Sequence, residues 1–299
     1  MSFDKALAAM LVEPGKKMKL KNYPTDFSKK DKGISKEEAA RRMEEGMVHL
    51  KEMQDMLYAS KSHNGLIIIQ AMDAAGKDSA VKHVMSGLNP VSVKVHAYKA
   101  PNDEERAHDY LWRHNLDLPP RGEIGIFVRS HYENVLACKV HPEFVVGENI
   151  PHINDVKQID KKFWEMRYRQ INDWERYLTE NGTTIIKLFL LNSKDEQKKQ
   201  FMERIDDPEK NWKFSLSDLK ERALWDKYMD AYEDMFNHTS TDWAPWHIIP
   251  ANDRWFSRIA LGAIIYRRFK TLKLKYPVVS EEQKQRLQDA KKALLAEKD

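Results

Sequence analysis

The stretch at residues 66–79, which reads LIIIQAMDAAGKDS, restricts the fold of this chain more than any other part of its sequence. Its first four residues are large and apolar, and three of them are isoleucines, a composition typical of a strand buried on both faces. A turn of small residues follows and ends in Gly76-Lys77, after which the sequence has helical character. Strand, small-residue loop and helix in this order are the setting of a phosphate-binding loop.

The loop matches the pattern G-x-x-x-x-G-K-[ST] only in part. Gly76 and Lys77 stand in their places, but Ala71 replaces the first glycine and Asp78 replaces the hydroxyl residue that binds Mg²⁺. In such a loop the backbone N–H groups and the positive end of the helix bind phosphate, and the lysine bridges its oxygens. We predict phosphate binding here, with a plain strand-to-helix turn as the alternative.

Two carboxylates belong to this segment. Mg²⁺ prefers hard oxygen ligands, and Asp73 can supply one where the usual hydroxyl is missing. The alternative for Asp73 is that it only caps a turn. For Asp78 we favour a structural role, because a carboxylate in the first turn of a helix is stabilised by the helix dipole.

Strand and helix patterns alternate along the rest of the chain. The predicted strands cover residues 66–70, 91–96, 123–128, 183–191 and 246–250, and the predicted helices cover 35–60, 78–87, 103–114, 155–180, 194–205, 215–236, 253–272 and 280–297. This alternation predicts an α/β fold, with a mostly parallel five-stranded sheet covered by helices on both faces. No repeat or linker divides the chain, so we predict one domain over 1–299, with 1–34 as a polar amino-terminal arm whose lysines are solvated. The alternative for its basic cluster at 16–21 is that it adds positive potential near an anion site.

The composition excludes some classes of protein. Lys and Arg number 50 against 46 Asp and Glu, and a net charge of +4 does not by itself indicate nucleic-acid binding. No apolar run approaches the roughly 18 residues that span a bilayer. We therefore expect a soluble, cytoplasmic protein without a secretory signal, a membrane partner or a nucleic-acid partner. The single cysteine, Cys138, cannot form an internal disulfide and is expected to be a buried apolar side chain.

A polar cluster, RSHYEN at residues 129–134, follows the third predicted strand. Ligands of parallel sheets bind at the carboxyl ends of the strands, so this cluster should lie beside the loop. Arg129 is placed to hold a transferring phosphoryl group, and Glu133 to accept a metal or a metal-bound water. Tyr132 is expected to pack or hydrogen-bond. His131 has two open readings, an acid or base and a surface or packing histidine.

The polar connector at residues 204–215 separates two predicted helices and carries Arg204, Lys210 and Lys213. Basic side chains in such a segment suit a lid that closes over phosphates and excludes water. A solvated charged loop is the alternative, and the residues of the connector alone do not separate the two.

Taken together, these motifs resemble the second family of polyphosphate kinases, P-loop enzymes related in fold to thymidylate kinase. The resemblance covers roughly residues 35 to 275. It is carried by Met72-Asp73-Ala74-Ala75-Gly76-Lys77-Asp78, Gly87-Leu88-Asn89-Pro90, Arg129-Ser130-His131-Tyr132-Glu133, Phe189-Leu190, Ser193-Lys194-Asp195-Glu196-Gln197-Lys198, Asn211-Trp212-Lys213-Phe214-Ser215, Asp218-Leu219-Lys220-Glu221-Arg222, Thr239-Ser240-Thr241 and Ala244-Pro245-Trp246.

The resemblance implies a three-layer α/β/α P-loop kinase fold with a helical lid at about residues 204–222 and additional terminal helices. It implies reversible transfer of the terminal phosphate of inorganic polyphosphate to nucleotides, with Mg²⁺ as cofactor and Mn²⁺ as a substitute. The form Arg-Ser-His-Tyr-Glu resembles the subgroup that phosphorylates both nucleoside mono- and diphosphates, so we expect AMP and ADP, with GMP and GDP, as acceptors. We also expect a homo-oligomer.

The resemblance also implies roles for individual residues. Lys77 and the loop amides hold the phosphates, Arg129 stabilises the transferred group, and Asp73 binds metal with Glu133. Many family members carry Asp just before the Arg-Ser pair as a second metal ligand, whereas this chain has Val128. The remaining residues predicted to bind phosphate or nucleotide are Ala74, Ala75, Gly76, Asp78, Ser79, Lys82, Tyr132, Arg204, Lys210, Lys213 and Ser215.

Two rival functions stay open on the sequence alone. Other P-loop folds share the incomplete loop pattern, so the chain could phosphorylate a small metabolite from ATP. The slight excess of basic residues would also suit a polyanion or nucleic-acid binder without catalysis, although +4 is a weak reason for it.

Overall fold

A five-stranded parallel sheet forms the centre of the computed structural model, which describes residues 2–27 and 32–297. The strand order is β2-β3-β1-β4-β5, and every neighbouring pair is parallel. The strands are β1 (Asn64–Ala71), β2 (Val93–Ala97), β3 (Ile124–Val128), β4 (Thr183–Leu191) and β5 (Trp246–Pro250). Strand β1 therefore lies in the middle of the sheet, between β3 and β4.

Helices cover both faces of this sheet. In the described residues they are α1 (Phe3–Ala8), α2 (Lys36–Ser60), α3 (Lys77–Met85), α4 (Asp103–Arg106), α5 (Trp112–Leu116), α6 (Ala137–Val140), α7 (Glu143–Val146), α8 (Lys161–Glu180), α9 (Lys194–Asp206), α10 (Leu216–Ala223), α11 (Trp225–Thr239), α12 (Arg254–Lys270) and α13 (Glu281–Ala296). Short 3-10 turns occupy Leu20–Asn22, Pro90–Ser92, His131–Val135, Val156–Gln158 and Asn211–Lys213.

The two hydrophobic cores follow from the alternation of side chains along each strand. Ile67 and Ile69 point to a core shared with α2, α3 and α12. Leu66 and Ile68 point to the opposite core, shared with α8 and α11. The predicted three-layer α/β/α fold is thus confirmed.

The predicted helix boundaries were less accurate than those of the strands. Strands β4 and β5 have the predicted bounds, the other strands and most helices differ by one or two residues at one or both ends, and three predicted helices differ by more. The region 103–114 forms two short helices, because the Asp109 carboxylate accepts a hydrogen bond from Leu111 N (2.9 Å) and replaces a helical bond. The region 215–236 divides at Leu224, and α8 begins only after Asp160, which caps it through Phe163 N (2.9 Å).

The prediction of a polar arm at 1–34 was wrong in two respects, because part of this segment pairs with the sheet and its apolar side chains are buried. Phe3, Leu7 and Met10 have helical spacing and are buried in the core that contains α12. Leu11 forms an antiparallel bridge with His247, next to the sheet. The lysines at 5, 16, 17, 19 and 21 are exposed, as predicted. Lys32 is an exception, because it is 6% exposed and its ammonium group donates to Asp253 Oδ2 at 2.5 Å. Residues 28–31 lie outside the described part.

Helix α13 stands apart from both cores, because none of its residues is buried. Among the described residues, no helix combines the length and apolar character that crossing a membrane requires. Cys138 is a buried free cysteine, as predicted, and burial raises the pKa of its thiol to about 12.

Truncation of a side chain in α1 tests whether the amino-terminal segment belongs to the core. Leu7 is 3% exposed, so Leu7→Ala should lower the free energy of unfolding by about 2–4 kcal/mol, measured by urea denaturation. The matched control is Leu294→Ala in α13, where the side chain is 66% exposed and the change should stay within about 0.5 kcal/mol. Equal effects of the two substitutions would contradict the packing of α1.

Candidate active site

The loop after β1 and the turn after β3 lie side by side at one edge of the sheet. Pairing of Ile69 with Val128 brings the carboxyl ends of β1 and β3 to the same level. The backbone N–H of Arg129 donates to Ile69 O at 3.3 Å, which continues this pairing beyond the strand. Parallel sheets bind ligands at this edge, so the two segments form the candidate site.

The loop contains two residues with left-handed backbone, Ala74 (φ 63°) and Gly76 (φ 92°). Gly76 precedes the first residue of α3, and Gly76 O accepts the first helical bond from Ala80 N (2.9 Å). A Cβ at Gly76 would meet nothing within 4 Å, so the backbone angle and not the available space requires glycine there. A turn of this kind followed by a helix forms an anion-binding concavity.

Lys77 crosses the loop from the first position of α3. Its ammonium group donates to Ala71 O (2.7 Å) and Met72 O (3.2 Å), and it lies 4.0 Å from Asp73 Oδ1. The side chain is 8% exposed, and this burial lowers the pKa of the ammonium group, although Asp73 opposes the shift. The lysine is therefore held against the loop backbone.

Asp73 lies between two cations. The guanidinium of Arg129 donates to Asp73 Oδ1 at 3.2 Å, the same oxygen that lies 4.0 Å from the Lys77 ammonium group. Burial raises the pKa of the Asp73 carboxyl, but the combined attraction of Lys77, Arg129 and Arg204 outweighs it and lowers this pKa overall. Asp73 is thus a carboxylate at neutral pH. The backbone of Arg129 is strained, with φ 52°, at the residue whose side chain makes this contact.

Glu133 is the second carboxyl group beside Lys77. Burial raises its pKa, and Lys77 and Arg129 oppose this shift while Asp73 adds to it. The side-chain amide of Gln70 forms two hydrogen bonds with this region. Its nitrogen donates to Glu133 Oε1 (3.0 Å), and its oxygen accepts from Ser130 N (3.0 Å). The end of β1 therefore orients the carboxyl group that follows β3.

The donor set fits a magnesium ion that is shared with a substrate. Among residues 2–27 and 32–297, no group of three or more His, Cys, Asp or Glu side chains could hold a metal ion. Mg²⁺ is commonly bound by one or two carboxylates together with phosphate oxygens, and Asp73 and Glu133 are the two carboxyl groups whose pKa values Lys77 and Arg129 both act to lower here. Val128 is 3% exposed inside β3 and supplies no oxygen from its side chain.

The segment predicted to be a lid, residues 204–222, contains the end of α9, the turn Asn211–Lys213 and most of α10. The two helices that it joins, α9 and α10, are here called the lid helices. Asn211 donates to Arg204 O (2.8 Å) and Ile205 O (2.7 Å), which satisfies carbonyl groups at the end of α9. The Arg204 guanidinium lies 4.0 Å from Asp218 Oδ2, and its charge contributes to the lowered pKa of Asp73. The two lid helices thus bring a basic side chain toward the loop.

Comparison with known proteins agrees with this arrangement. A model of the family described as Polyphosphate kinase 2 (PPK2) matches residues 33–277. The chain belongs to the polyphosphate kinase 2 family. It is 43% identical over 284 residues to an ADP-polyphosphate phosphotransferase of Rhodopseudomonas palustris, covering 95% of this chain and 96% of that protein.

Two further relatives of this polyphosphate kinase 2 family member cover most of its length. An AMP/ADP-polyphosphate phosphotransferase of Meiothermus ruber is 40% identical over 266 residues, or 89% of this chain and 94% of that protein. The crystal structure of Polyphosphate Kinase 2 from Arthrobacter aurescens TC1 superimposes with a TM-score of 0.85 at 38% identity, covering 98% of this chain and 97% of that one. The family's fold is therefore present throughout.

Not every predicted ligand-binding residue of this family member reaches the site. Tyr132 is fully buried, and its hydroxyl donates to Glu175 Oε1 at 2.7 Å. A ring without accessible surface has no face for a nucleotide, so Tyr132 is removed from the predicted ligand-contacting set. His131 is also fully buried, and burial lowers its pKa, so of its two readings the packing histidine applies.

The other predicted residues divide between the loop and the surface. Ser79 Oγ accepts a hydrogen bond from Arg258 at 2.6 Å, which connects α3, the helix after the loop, to α12. Asp78 and Lys82 are exposed on α3. In the lid, Lys210 pairs with Asp207 at 2.7 Å, Lys213 lies over the Trp212 ring (4.9 Å), and Ser215 caps α10.

Gln197 is a site residue to which the sequence analysis gave no role. It is 1% exposed on α9, donates to Asp73 O (3.1 Å) and accepts from Arg222 Nη1 (2.9 Å). It therefore links the phosphate-binding loop to both lid helices. Its membership of the motif beginning at Ser193 was a usable signal, but only the structure shows its partners.

Proposed function

We propose that this protein transfers a phosphoryl group between inorganic polyphosphate and adenosine nucleotides, with AMP and ADP as acceptors. The observation that carries the proposal is the cluster at the carboxyl ends of β1 and β3. There, Lys77 and Arg129 both lie within 4.0 Å of Asp73 Oδ1, in a chain of the polyphosphate kinase 2 family. The names of the relatives from Rhodopseudomonas palustris and Meiothermus ruber support the same substrates.

The residues of the site suit phosphoryl transfer because this reaction needs little covalent help from a protein. Its catalysis is positioning and neutralisation of charge on the phosphoryl oxygens. Lys77 and the amides of the loop can hold the phosphates next to the bond that breaks. The Arg129 side chain is 46% exposed, so its guanidinium is accessible to the transferring group. Arg204 brings a third cation from the lid, which closes against water.

Mg²⁺ is the proposed cofactor, with Mn²⁺ as a substitute. Asp73 and Glu133 would hold the ion together with oxygens of the bound phosphates. When bound, the ion supplies positive charge that polarises the phosphoryl oxygens. Since Val128 offers no carboxylate, Asp73 and Glu133 would be the carboxylates that serve this ion.

Several finer statements belong to the same proposal. The two curated relatives differ in name only by AMP, and the resemblance to the subgroup acting on mono- and diphosphates supports both acceptors here. We extend the acceptors to GMP and GDP and propose a reversible reaction. We further propose a cytoplasmic homo-oligomer.

An assay with polyphosphate as the sole phosphoryl donor tests the proposal. Purified protein and Mg²⁺ should convert AMP to ADP and ADP to ATP, and should act on GMP and GDP, while omission of Mg²⁺ should abolish turnover. Products are separated by ion-exchange chromatography. If polyphosphate gave no nucleotide product, and ATP were consumed only when a small metabolite was added, the protein would be an ATP-dependent metabolite kinase instead.

Removal of either cation should slow the reaction strongly. Lys77→Ala and Arg129→Ala should each lower kcat by on the order of 10³-fold, the scale of a lost charge clamp in phosphoryl transfer. Steady-state kinetics with ADP measure the effect, and circular dichroism checks folding. Lys51→Ala on the exposed side of α2 is the matched control. A well-folded variant with near-normal kcat would remove that cation from the site.

Substitution of Asp73 tests the proposed metal ligand. Asp73→Asn keeps the shape of the side chain but removes its charge, so the Mg²⁺ concentration for half-maximal activity should rise by about 10-fold or more. The measurement is a Mg²⁺ titration of initial rate at saturating substrates. Asp55→Asn, an exposed change in α2, serves as control. An unchanged titration curve for Asp73→Asn would exclude Asp73 as a ligand.

A further inference from the structure

A network of fully buried polar side chains lies directly behind the turn that carries Arg129 and Glu133. Lys187 of β4 donates from its ammonium group to Glu175 Oε2 (2.7 Å), Tyr132 OH (2.9 Å) and Thr239 O (2.6 Å). The Tyr132 hydroxyl donates in turn to Glu175 Oε1 (2.7 Å). Lys187, Glu175 and Tyr132 each have 0% exposed surface, so water takes no part in their charge balance.

All three protons of the Lys187 ammonium group have acceptors, and both Glu175 oxygens have donors. Burial lowers the pKa of Lys187, but Glu175 opposes this shift. Burial alone would raise the pKa of Glu175, yet the positive charge of Lys187 outweighs it and lowers this pKa. The two groups are therefore an ion pair at neutral pH.

Stability does not explain why this pair is charged. Taking two charges out of water costs several kcal/mol per ion, and apolar side chains of similar volume commonly give equal or greater stability. What an ion pair with directed hydrogen bonds provides in addition is a defined position for the groups it binds. Here the bound group is the Tyr132 hydroxyl, so the position defined is that of the turn.

The turn has contacts on two sides. Arg129 N bonds to Ile69 O, and Ser130 and Glu133 contact Gln70 at the end of β1. Those contacts all lie on the β1 side. Tyr132 leaves the turn on the other side, reaches the network and packs against the Trp246 ring, 4.8 Å between centroids. His131, also fully buried, lies with Nε2 3.4 Å from Glu175 Oε1 and packs against the Trp174 ring, 4.7 Å between centroids. The turn is thus attached to the end of β1 and, through Tyr132 and His131, to the buried network, and both residues lie between Arg129 and Glu133 in sequence.

We propose that Glu175 and Lys187 are positioning residues for Arg129 and Glu133, acting through the Tyr132 hydroxyl. The effect on turnover rests on the proposed function, whereas the effect on the order of the turn does not. Lys187 belongs to a strand that pairs with β1, and Glu175 belongs to the long helix α8. Rigid elements of this kind hold a reactive group more accurately than a free loop does.

Two variants separate positioning from stability. Tyr132→Phe removes only the hydroxyl that bonds to both members of the ion pair and leaves the contact of His131 with Glu175 in place. The triple variant Tyr132→Phe, Glu175→Leu, Lys187→Met replaces the whole network by apolar side chains and should keep the thermal unfolding midpoint close to that of the wild type. Both should lower kcat with ADP by about 10- to 100-fold, because a small misplacement of a reactive group has that effect. The KM for ADP should change by less than about 3-fold.

The control is Tyr168→Phe, a tyrosine on the same helix α8 that is 3% exposed and accepts a hydrogen bond from Lys139 (3.2 Å). It loses a similar buried hydroxyl away from the turn, and its kcat should remain near that of the wild type. Hydrogen exchange of the amides at 129–136, measured by mass spectrometry without substrates, provides a second readout. Exchange there should be faster in Tyr132→Phe and in the triple variant, and unchanged in Tyr168→Phe.

The outcomes are distinct. If both variants kept wild-type kcat and wild-type exchange at 129–136, the positioning role would be wrong. If the triple variant failed to fold, Tyr132→Phe alone would decide by the same two measurements. If the wild type itself did not use polyphosphate, the proposed function would fail, and the exchange data would still test whether the network orders the turn.

Discussion

Parallel pairing of β1 with β3 and β4 is the constraint on which the rest of the structure depends. It brings the carboxyl ends of these strands to one edge, where the loop after β1, the turn after β3 and the start of α9 meet. Each of these segments contributes a polar group, namely Lys77, Arg129 and Gln197. A shift of one residue in either pairing would turn alternate side chains to the opposite core and separate these groups. Burial of β1 on both faces by apolar residues opposes such a shift.

Electrostatic balance decides what this edge can bind. The two cations Lys77 and Arg129 would outnumber Asp73 if it were the only carboxylate. Glu133 adds a second carboxyl group, so the four side chains form a site in which neither positive nor negative charge has a large excess. Lys77 lowers the pKa of the Asp73 carboxyl, and the Gln70 amide holds the Glu133 carboxyl in place. The charge of the site therefore depends on groups from both the loop and the turn. Such a site accepts a phosphate together with a cation more readily than either alone. Inside the core, the charges of Glu175 and Lys187 also compensate each other, and this buried pair contacts the turn through Tyr132.

The accuracy of the sequence predictions differed between kinds of feature for physical reasons. Continuous apolar runs such as β4 were predicted with their bounds, because a strand buried on both faces leaves a pattern that no helix shares at that length. The loop and Arg129 were predicted because the parallel sheet places strand ends together. Tyr132 was assigned to ligand contact because its position after a strand does not show which way its side chain points. The amino-terminal segment was predicted as an arm because its basic cluster at 16–21 is more conspicuous than the three apolar residues at helical spacing, Phe3, Leu7 and Met10.

Lys187 shows the difference between what the sequence determines and what only the tertiary structure decides. The sequence by itself determined the α/β class, the five strands, the phosphate-binding loop and the family resemblance, because periodicity and local motifs depend on neighbours along the chain. A single lysine inside the apolar run of β4 also signals that some acidic partner must be buried with it. Only the tertiary structure decided that this partner is Glu175, that Tyr132 joins them and that Gln197 links the lid to the loop. These contacts connect residues 12 to 124 positions apart, and they exist only once helices and strands have packed.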